Sequence, residues 1–271
     1  MQLKNSIKSI AIGSFDGLHQ GHRALVNQVE AVVIIERNGG YLTPGHKRSF
    51  YLKQPCFFYH FDKIKLLRAK EFLEKLKEDF PLLESIVVGY DFEFGYKKEG
   101  DSTLLKELFE GEVIVVKEVK TSGISIHSRT IKSYLLSGKI ETVNELLGRC
   151  FVVSGIVVSG QGLGKKELVP TLNLKIYDYN LPKNGVYVTR TKVAELWFDS
   201  VTFLGHRVTT DGSFAVETYI LDKDIGIVTG SIWIEFVAFI RENQKFNSLD
   251  KLKEKIQDDI DKCQQILKNR R

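Results

Sequence analysis

Two histidines, His19 and His22, stand three residues apart in the glycine-bearing stretch Gly13-Ser14-Phe15-Asp16-Gly17-Leu18-His19-Gln20-Gly21-His22. Imidazoles can donate to phosphate oxygens, and this spacing puts both on one face of a helix that reaches back far enough. Glu217 stands in an apolar run from Phe214 to Leu221, where a carboxylate is costly unless it has a partner or a task. Gly160, Gly162 and Gly164 precede Lys165 and Lys166, and such a turn lets backbone come close to phosphates. Each feature has a plainer alternative. A histidine pair can be surface decoration, a glycine-spaced turn is common, and Glu217 can be an outward-facing strand residue.

Ile7, Ile10 and Ile12 make a short β-branched run that suits a buried strand, and Gly13 ends it. Gly17 and Gly21 keep the following loop bare. A helical pattern starts near His22, with Ala24, Leu25 and Val29 as its apolar positions. A strand, a glycine-bearing turn and a helix start form an anion site, since unpaired N–H groups and the helix dipole point at its occupant. Further strands are expected at Ala31–Ile35, Cys56–Tyr59, Ile86–Val88 and Val113–Val116. Asn38 to Gly40 is a loop, and Leu42 to Arg48 is polar and turn-rich. Helices are expected at Ala69–Phe80, stopped by Pro81, and at Leu104–Phe109. This alternation predicts a mostly parallel sheet with ligands at its carboxyl edge.

Ser133 to Leu147 reads as two short helices around Ser137-Gly138, after which the period changes. Phe151–Val158 alternates, and strand character returns at Tyr187, Val188 and Val193, Val201–Leu204, Phe214–Leu221 and Ile232–Ile240. Strands without intervening helices predict an antiparallel barrel. Period two puts Glu217 on one face with Ala215, Tyr219 and Leu221. Leu252, Ile256, Ile260 and Leu267 mark an amphipathic tail helix over Leu249–Leu267.

The bulk properties fit one large or two ordinary domains: 271 residues, 43% hydrophobic and 27% charged. Nothing approaches a transmembrane run or a signal-peptide core, so a cytoplasmic protein without membrane association is expected. Cys56, Cys150 and Cys263 offer neither a disulfide framework nor a zinc site. The net charge of +5 is spread along the chain. It suits anionic small molecules such as nucleotides rather than nucleic acid. A monomer or weak homo-oligomer is expected.

The stretch Gly13 to His22 resembles the GxFDGxHxGH signature of bacterial bifunctional riboflavin kinase/FAD synthetases, within the wider HxGH nucleotidyltransferases. Val88-Gly89-Tyr90-Asp91-Phe92-Glu93-Phe94-Gly95 resembles the family's VGxDFxFG loop. Ser125 to Lys132 stands where the family carries a segment close to SSTxIR, with Ser128 on the second serine, Lys132 on the arginine, and His127 and Arg129 departing from the pattern. Leu146 to Phe151 resembles LLGRPY with Cys150 for proline, and Pro170-Thr171-Leu172-Asn173 resembles PTxN. Glu217 falls on the family's catalytic glutamate and Arg241 on a family arginine whose role stays open. The stretch after Ile35 is shorter than usual and lacks the FxPHP-type motif.

The resemblance implies a doubly wound α/β nucleotidyltransferase domain at 1–147 and an antiparallel β-barrel kinase domain with a C-terminal helix at 148–271. It implies phosphorylation of riboflavin to FMN by ATP, then adenylylation of FMN to FAD with release of pyrophosphate. Glu217, His19 and His22 are the expected catalytic residues. Gly13, Phe15, Asp16, Gly17, Gly21, Asp91, Ser128, Arg129, Lys132 and the three glycines from Gly160 to Gly164 are expected around substrate or nucleotide, and Thr171 and Asn173 around Mg²⁺. For Asp91 alone, a turn cap beside packed Phe92 and Phe94 is as good a reading. For Ser125 to Lys132, the alternative is a set of solvated positions at a helix start. Two other functions stay open: a riboflavin kinase with an impaired or specialised adenylyltransferase half, and a non-catalytic flavin- or nucleotide-binding regulator.

Overall fold

Ile10, Ala11 and Ile12 lie at the centre of a five-stranded parallel sheet and are buried on both of its faces. The structure, a computed structural model, describes residues 3–37, 39–159, 169–206 and 213–270. Contacts divide the chain into two compact units, Met1–Thr130 and Ile131–Arg271.

The first unit carries β1 (Ser9–Gly13), α1 (Gln20–Val26), β2 (Ala31–Glu36), β3 (Cys56–His60), α2 (Phe61–Ile64), α3 (Ala69–Asp79), β4 (Ser85–Gly89), α4 (Ser102–Leu108), β5 (Glu112–Val116) and a small pair, β6 (Lys120–Thr121) with β7 (Ile124–Ser125). Sheet order is β3-β2-β1-β4-β5. Its pairings are parallel, with Ile10 opposite both Ala31 and Ile86. Ile10, Ile12, Val33, Ile86 and Val88 pack with Phe72, Leu73 and Leu76 of α3. Ala11, Val32, Ile34 and Val87 pack on the other face with Leu25 and Val26 of α1. Burial on both faces is why these strands read as unbroken apolar runs. The strand order reverses between β1 and β4, so the crevice beyond Gly13 and Gly89 is where an open α/β sheet takes its ligand.

α5 (Ser128–Leu136) begins at the end of the first unit, and its residues from Ile131 onward group with the second. α6 (Ile140–Leu147), β8 (Phe151–Val158), β9 (Leu172–Ile176), β10 (Gly185–Val193), β11 (Leu196–His206), β12 (Phe214–Ile220), β13 (Ser231–Arg241) and α7 (Leu249–Lys268) follow. The six strands close as an antiparallel barrel in the order β10-β11-β12-β9-β8-β13. The sequence puts the domain junction at 147/148, and contacts group α6, just ahead of it, with the barrel. Asn144 on α6 is one reason. Its amide nitrogen donates to Phe236 O at 2.8 Å, and its oxygen accepts from Phe151 N at 2.7 Å.

The barrel interior holds a ring of buried hydroxyls. Thr189 Oγ1 lies 2.8 Å from both Ser200 Oγ and Thr202 Oγ1. Thr191 reaches Ser200 at 2.8 Å, and Thr202 donates to Thr218 at 3.0 Å. Shared hydroxyl bonds satisfy groups that would otherwise be costly to bury. On the outer face, Val188, Leu221 and Val237 pack under Ile260, Cys263 and Leu267 of α7. Arg241 fixes this helix: its Nε and Nη2 clamp Asp259, with Nη2–Oδ2 at 2.7 Å. That gives Arg241 a structural role.

Most expected elements are present, with local differences. α1 starts at Gln20 because the His19 side chain accepts at its N-cap, and it ends at Val26, leaving Val29 beyond it. β9 was expected only as a motif, although Leu172, Leu174 and Ile176 alternate with polar Asn173 and Lys175 as a half-buried strand does.

Candidate active sites

In the first unit, β1 delivers its carboxyl end into a turn that runs against ordinary backbone preference. Phe15 and Leu18 hold φ of 49° and 43°, and Gly17 holds 85°. Such values persist only where surroundings impose them. Here the Phe15 and Leu18 side chains are buried with Leu25 and Val26. Phe15 is therefore a support, with its ring edge-on to His22 at 5.2 Å between centroids. A Cβ on Gly13 would meet that ring at 3.4 Å.

Asp16 is buried, and its Oδ1 accepts from Leu42 N at 2.8 Å and Thr43 N at 3.0 Å. It ties the histidine loop to the segment between β2 and β3. Ser128 Oγ donates to Asp16 O at 2.8 Å, which anchors the start of α5 on the same loop.

His19 and His22 stack, with ring centroids 3.5 Å apart and planes 18° from parallel. His19 Nδ1 accepts from His22 N at 3.3 Å. A neutral imidazole accepting at Nδ1 carries its proton on Nε2. Burial pushes the His19 pKa down to about 3, with the charge of His127 adding to the effect. His22 is also held well below its ordinary value, first by burial, then by His19, Arg48 and His127. The pair is thus neutral at pH 7 and can offer hydrogen bonds rather than positive charge. A Cβ on Gly21 would sit 3.2 Å from His19 Nδ1, so a bare Cα keeps the stack in place.

Across the crevice, Asp91 follows β4 and is exposed, with its carboxylate 3.7 Å from His127 Nδ1. His127 Nε2 lies 3.1 Å from Tyr90 Oη. Phe92 and Phe94 stack at 5.5 Å and join the core. The turn and both aromatics thus match the plainer reading, while Asp91 itself faces outward beside the crevice. Arg129 is exposed, and Lys132 lies one helical turn beyond Ser128.

Arg48 escaped the sequence reading. It lies in the short 3₁₀ stretch Gly45–Tyr51, with its side chain fully buried. Position inside a polar, turn-rich run gave no signal of burial.

In the barrel unit, Glu217 on β12 and Asn173 on β9 are direct antiparallel partners. Cβ atoms of such partners lie about 4.5–5.5 Å apart. Thr171, two residues before Asn173, has the same parity. Tyr219 and Leu221, on Glu217's face, pack under α7 with Val169. Glu217 is therefore set at the border of a covered apolar patch and is half-buried. Phe203 lies opposite it on β11, and Val158 lies opposite Asn173 on β8. The oxygen donors of Thr171, Asn173 and Glu217 suit a hard divalent ion that keeps waters and phosphates. Gly160, Gly162 and Gly164 lie outside the described residues.

A family model described as riboflavin kinase matches residues 147–267, and one described as FAD synthetase matches residues 33–130. A bifunctional riboflavin kinase/FMN adenylyltransferase of Listeria monocytogenes is 27% identical, over 90% of this chain and 88% of the relative. One of Buchnera aphidicola is 29% identical, over 94% and 92%. A crystal structure described as a macrolide-efflux protein from Streptococcus pneumoniae superposes with a TM-score of 0.84 at 26% identity, covering 94% of this chain and 93% of that one. Among the described residues, no helix is long and apolar enough to cross a membrane.

Proposed function

The chain belongs to the family of bifunctional riboflavin kinase/FMN adenylyltransferases, and on that premise we propose how its residues divide the two reactions. It is a transferase of flavin cofactor biosynthesis, making FMN from riboflavin and FAD from FMN with ATP. The kinase reaction is assigned to residues 148–271 and the adenylyl transfer to 1–147. The observation that carries the first assignment is the cross-strand pairing of Glu217 with Asn173.

In the barrel, Glu217 accepts the proton of the ribityl 5′-hydroxyl as its oxygen attacks the γ-phosphorus of ATP. The bond to the bridging oxygen breaks and ADP leaves. Thr171 and Asn173 are the residues that would hold Mg²⁺, which when bound neutralises charge on the phosphates. The apolar patch of Tyr219 and Leu221 limits water around the carboxylate. Positioning supplies most of the rate.

In the first unit, a phosphate oxygen of FMN attacks the α-phosphorus of ATP, and pyrophosphate leaves with the electrons of the broken bond. No protein nucleophile is needed. The neutral imidazoles of His19 and His22 donate hydrogen bonds to phosphoryl oxygens, an electrostatic contribution made by groups fixed in advance. Ser128, with Arg129 or Lys132, is assigned to the pyrophosphate. A cytoplasmic location accords with the free cysteines.

The test is to supply purified protein with riboflavin and Mg-ATP, or with FMN and Mg-ATP, and to separate FMN and FAD over time. FMN followed by FAD is expected from the first mixture and FAD from the second. Absence of FMN in the first sinks the kinase assignment, and absence of FAD in the second sinks the adenylyltransferase assignment.

A further inference from the structure

Buried polar groups without partners are rare, and each calls for an explanation. Among the described residues of the first unit, three such nitrogens lie on two residues: Nδ1 of His22, and Nε and Nη2 of Arg48. An arginine is almost never fully buried unless paired. Arg48 is fully buried, yet among the described residues its one ionic contact is Nη1 to Glu36 at a long 3.5 Å. The flat face of the guanidinium rests on the Tyr41 ring, 4.5 Å from its centroid. The two unpartnered donors, Nε and Nη2, are neighbours on one edge of the guanidinium. That edge is the fork that meets two oxygens of one phosphate in parallel bonds.

The placement is also specific. Asp16 binds Leu42 N and Thr43 N, which pins the segment leading into Arg48 against the histidine loop. The positive charge of Arg48 is among the causes that hold the His22 pKa down, after burial and His19. Because both imidazoles are neutral, they bring no positive charge to a phosphoryl group passing between two anions. Arg48 does, since a guanidinium stays charged even when buried.

We propose that Arg48 is a further catalytic residue of the adenylyl transfer, gripping phosphate oxygens of ATP through its Nε–Nη2 edge. The inference rests on the adenylyltransferase reading of this unit. Charge builds on the α-phosphoryl oxygens as the FMN phosphate attacks, and then on departing pyrophosphate. A fixed cation in a buried site stabilises both without reorganisation.

Three variants test it: Arg48→Lys, Arg48→Met and Glu36→Gln. Two readings are taken on the full chain: conversion of FMN to FAD under Mg-ATP, and calorimetric binding of inorganic pyrophosphate. Riboflavin phosphorylation serves as the internal reference. Arg48→Lys keeps the charge and loses the fork, so both readings fall at least about tenfold. Arg48→Met lowers FAD formation about 10²–10³-fold, the usual cost of removing one such donor. Glu36→Gln removes the ionic partner's charge but keeps an oxygen for Nη1, and leaves both readings within about threefold, because the grip on phosphate does not depend on that charge. Retention of rate and pyrophosphate affinity in Arg48→Lys overturns the proposal. A loss in Glu36→Gln equal to that in Arg48→Met also overturns it, by making the residue a structural ion pair. If wild-type protein makes no FAD, the adenylyltransferase reading fails first, and pyrophosphate binding that is equal in wild type and Arg48→Met then dismisses Arg48 separately.

Discussion

Glu217 and Asn173 face each other across adjacent strands of the barrel, in register. The proposed kinase step asks a carboxylate that takes a proton and an amide oxygen that would hold a phosphate-bound ion to share one small space, and this register accords with it. Glu217→Gln keeps shape and removes the base. FMN formation should drop about 10²–10⁴-fold, the usual worth of general acid–base catalysis, while conversion of supplied FMN to FAD stays unchanged. Chromatography of both reactions checks the split. Loss of both activities in folded protein contradicts the division of labour.

The stacked imidazoles give the reciprocal result. His22→Ala should abolish FAD formation from FMN and leave FMN production from riboflavin untouched. Gly21→Ala should reduce FAD formation less severely, since its Cβ would press on His19 Nδ1 at 3.2 Å. A hundredfold fall in FMN production by either variant would refute the assignment.

Acid stability follows from the same pair. His19 titrates near 3 in the fold and near 6.5 when unfolded. Between these values the unfolded chain binds the extra proton. The contribution is complete above pH 6.5 and is lost as pH falls toward 3. The slope approaches about 1.4 kcal/mol per pH unit for one proton. Urea midpoints between pH 7 and 5 should fall in wild type and flatten in His19→Gln. An unchanged slope would show that the histidine is not held neutral.

Thr189 is the hub of the hydroxyl ring, bonding Ser200 O, Ser200 Oγ and Thr202 Oγ1. Thr189→Val leaves buried partners unsatisfied and should cost about 1–3 kcal/mol in urea unfolding. Replacing all five members, with valine at the threonines and alanine at Ser200, should recover much of that loss, because no orphan group remains. A combined variant no more stable than Thr189→Val would contradict the network argument.

Arg241→Met strands the Asp259 carboxylate, which is 2% exposed. Breaking such a pair from one side typically costs about 3–5 kcal/mol. Thermal unfolding should show the loss, and Asp259→Leu added to Arg241→Met should restore most of it.

What the chain disclosed before folding depended on whether a residue's surroundings are local. The period of Ile10 to Ile12 and Ala31 to Ile35 reflects burial on both sheet faces, a property each run carries by itself. His19 and His22 were legible because their function lies in spacing and in bare glycines beside them. Arg48 was not, because its burial comes from tertiary packing; even the segment before it is held by Asp16 at Leu42 N, twenty-six residues away, a contact no window of sequence contains. Phe15 went the other way. A motif position suggested ligand contact, and packing made it a buttress. β9 does carry a strand's alternation, with Leu172, Leu174 and Ile176 apolar and Asn173 and Lys175 polar, but its five residues overlap the PTxN stretch and stand out only as a motif.

Asn144 has a practical corollary for anyone who wishes to study the halves apart. A fragment cut at the motif junction, beginning at Gly148, discards that amide and the buried Ile140, Val143, Leu146 and Leu147 with it. The flavin-phosphorylating half would then start life with a bare flank and an unanswered amide at Phe151. Carrying α6 along should make the difference between a soluble, countable catalyst and one that clumps.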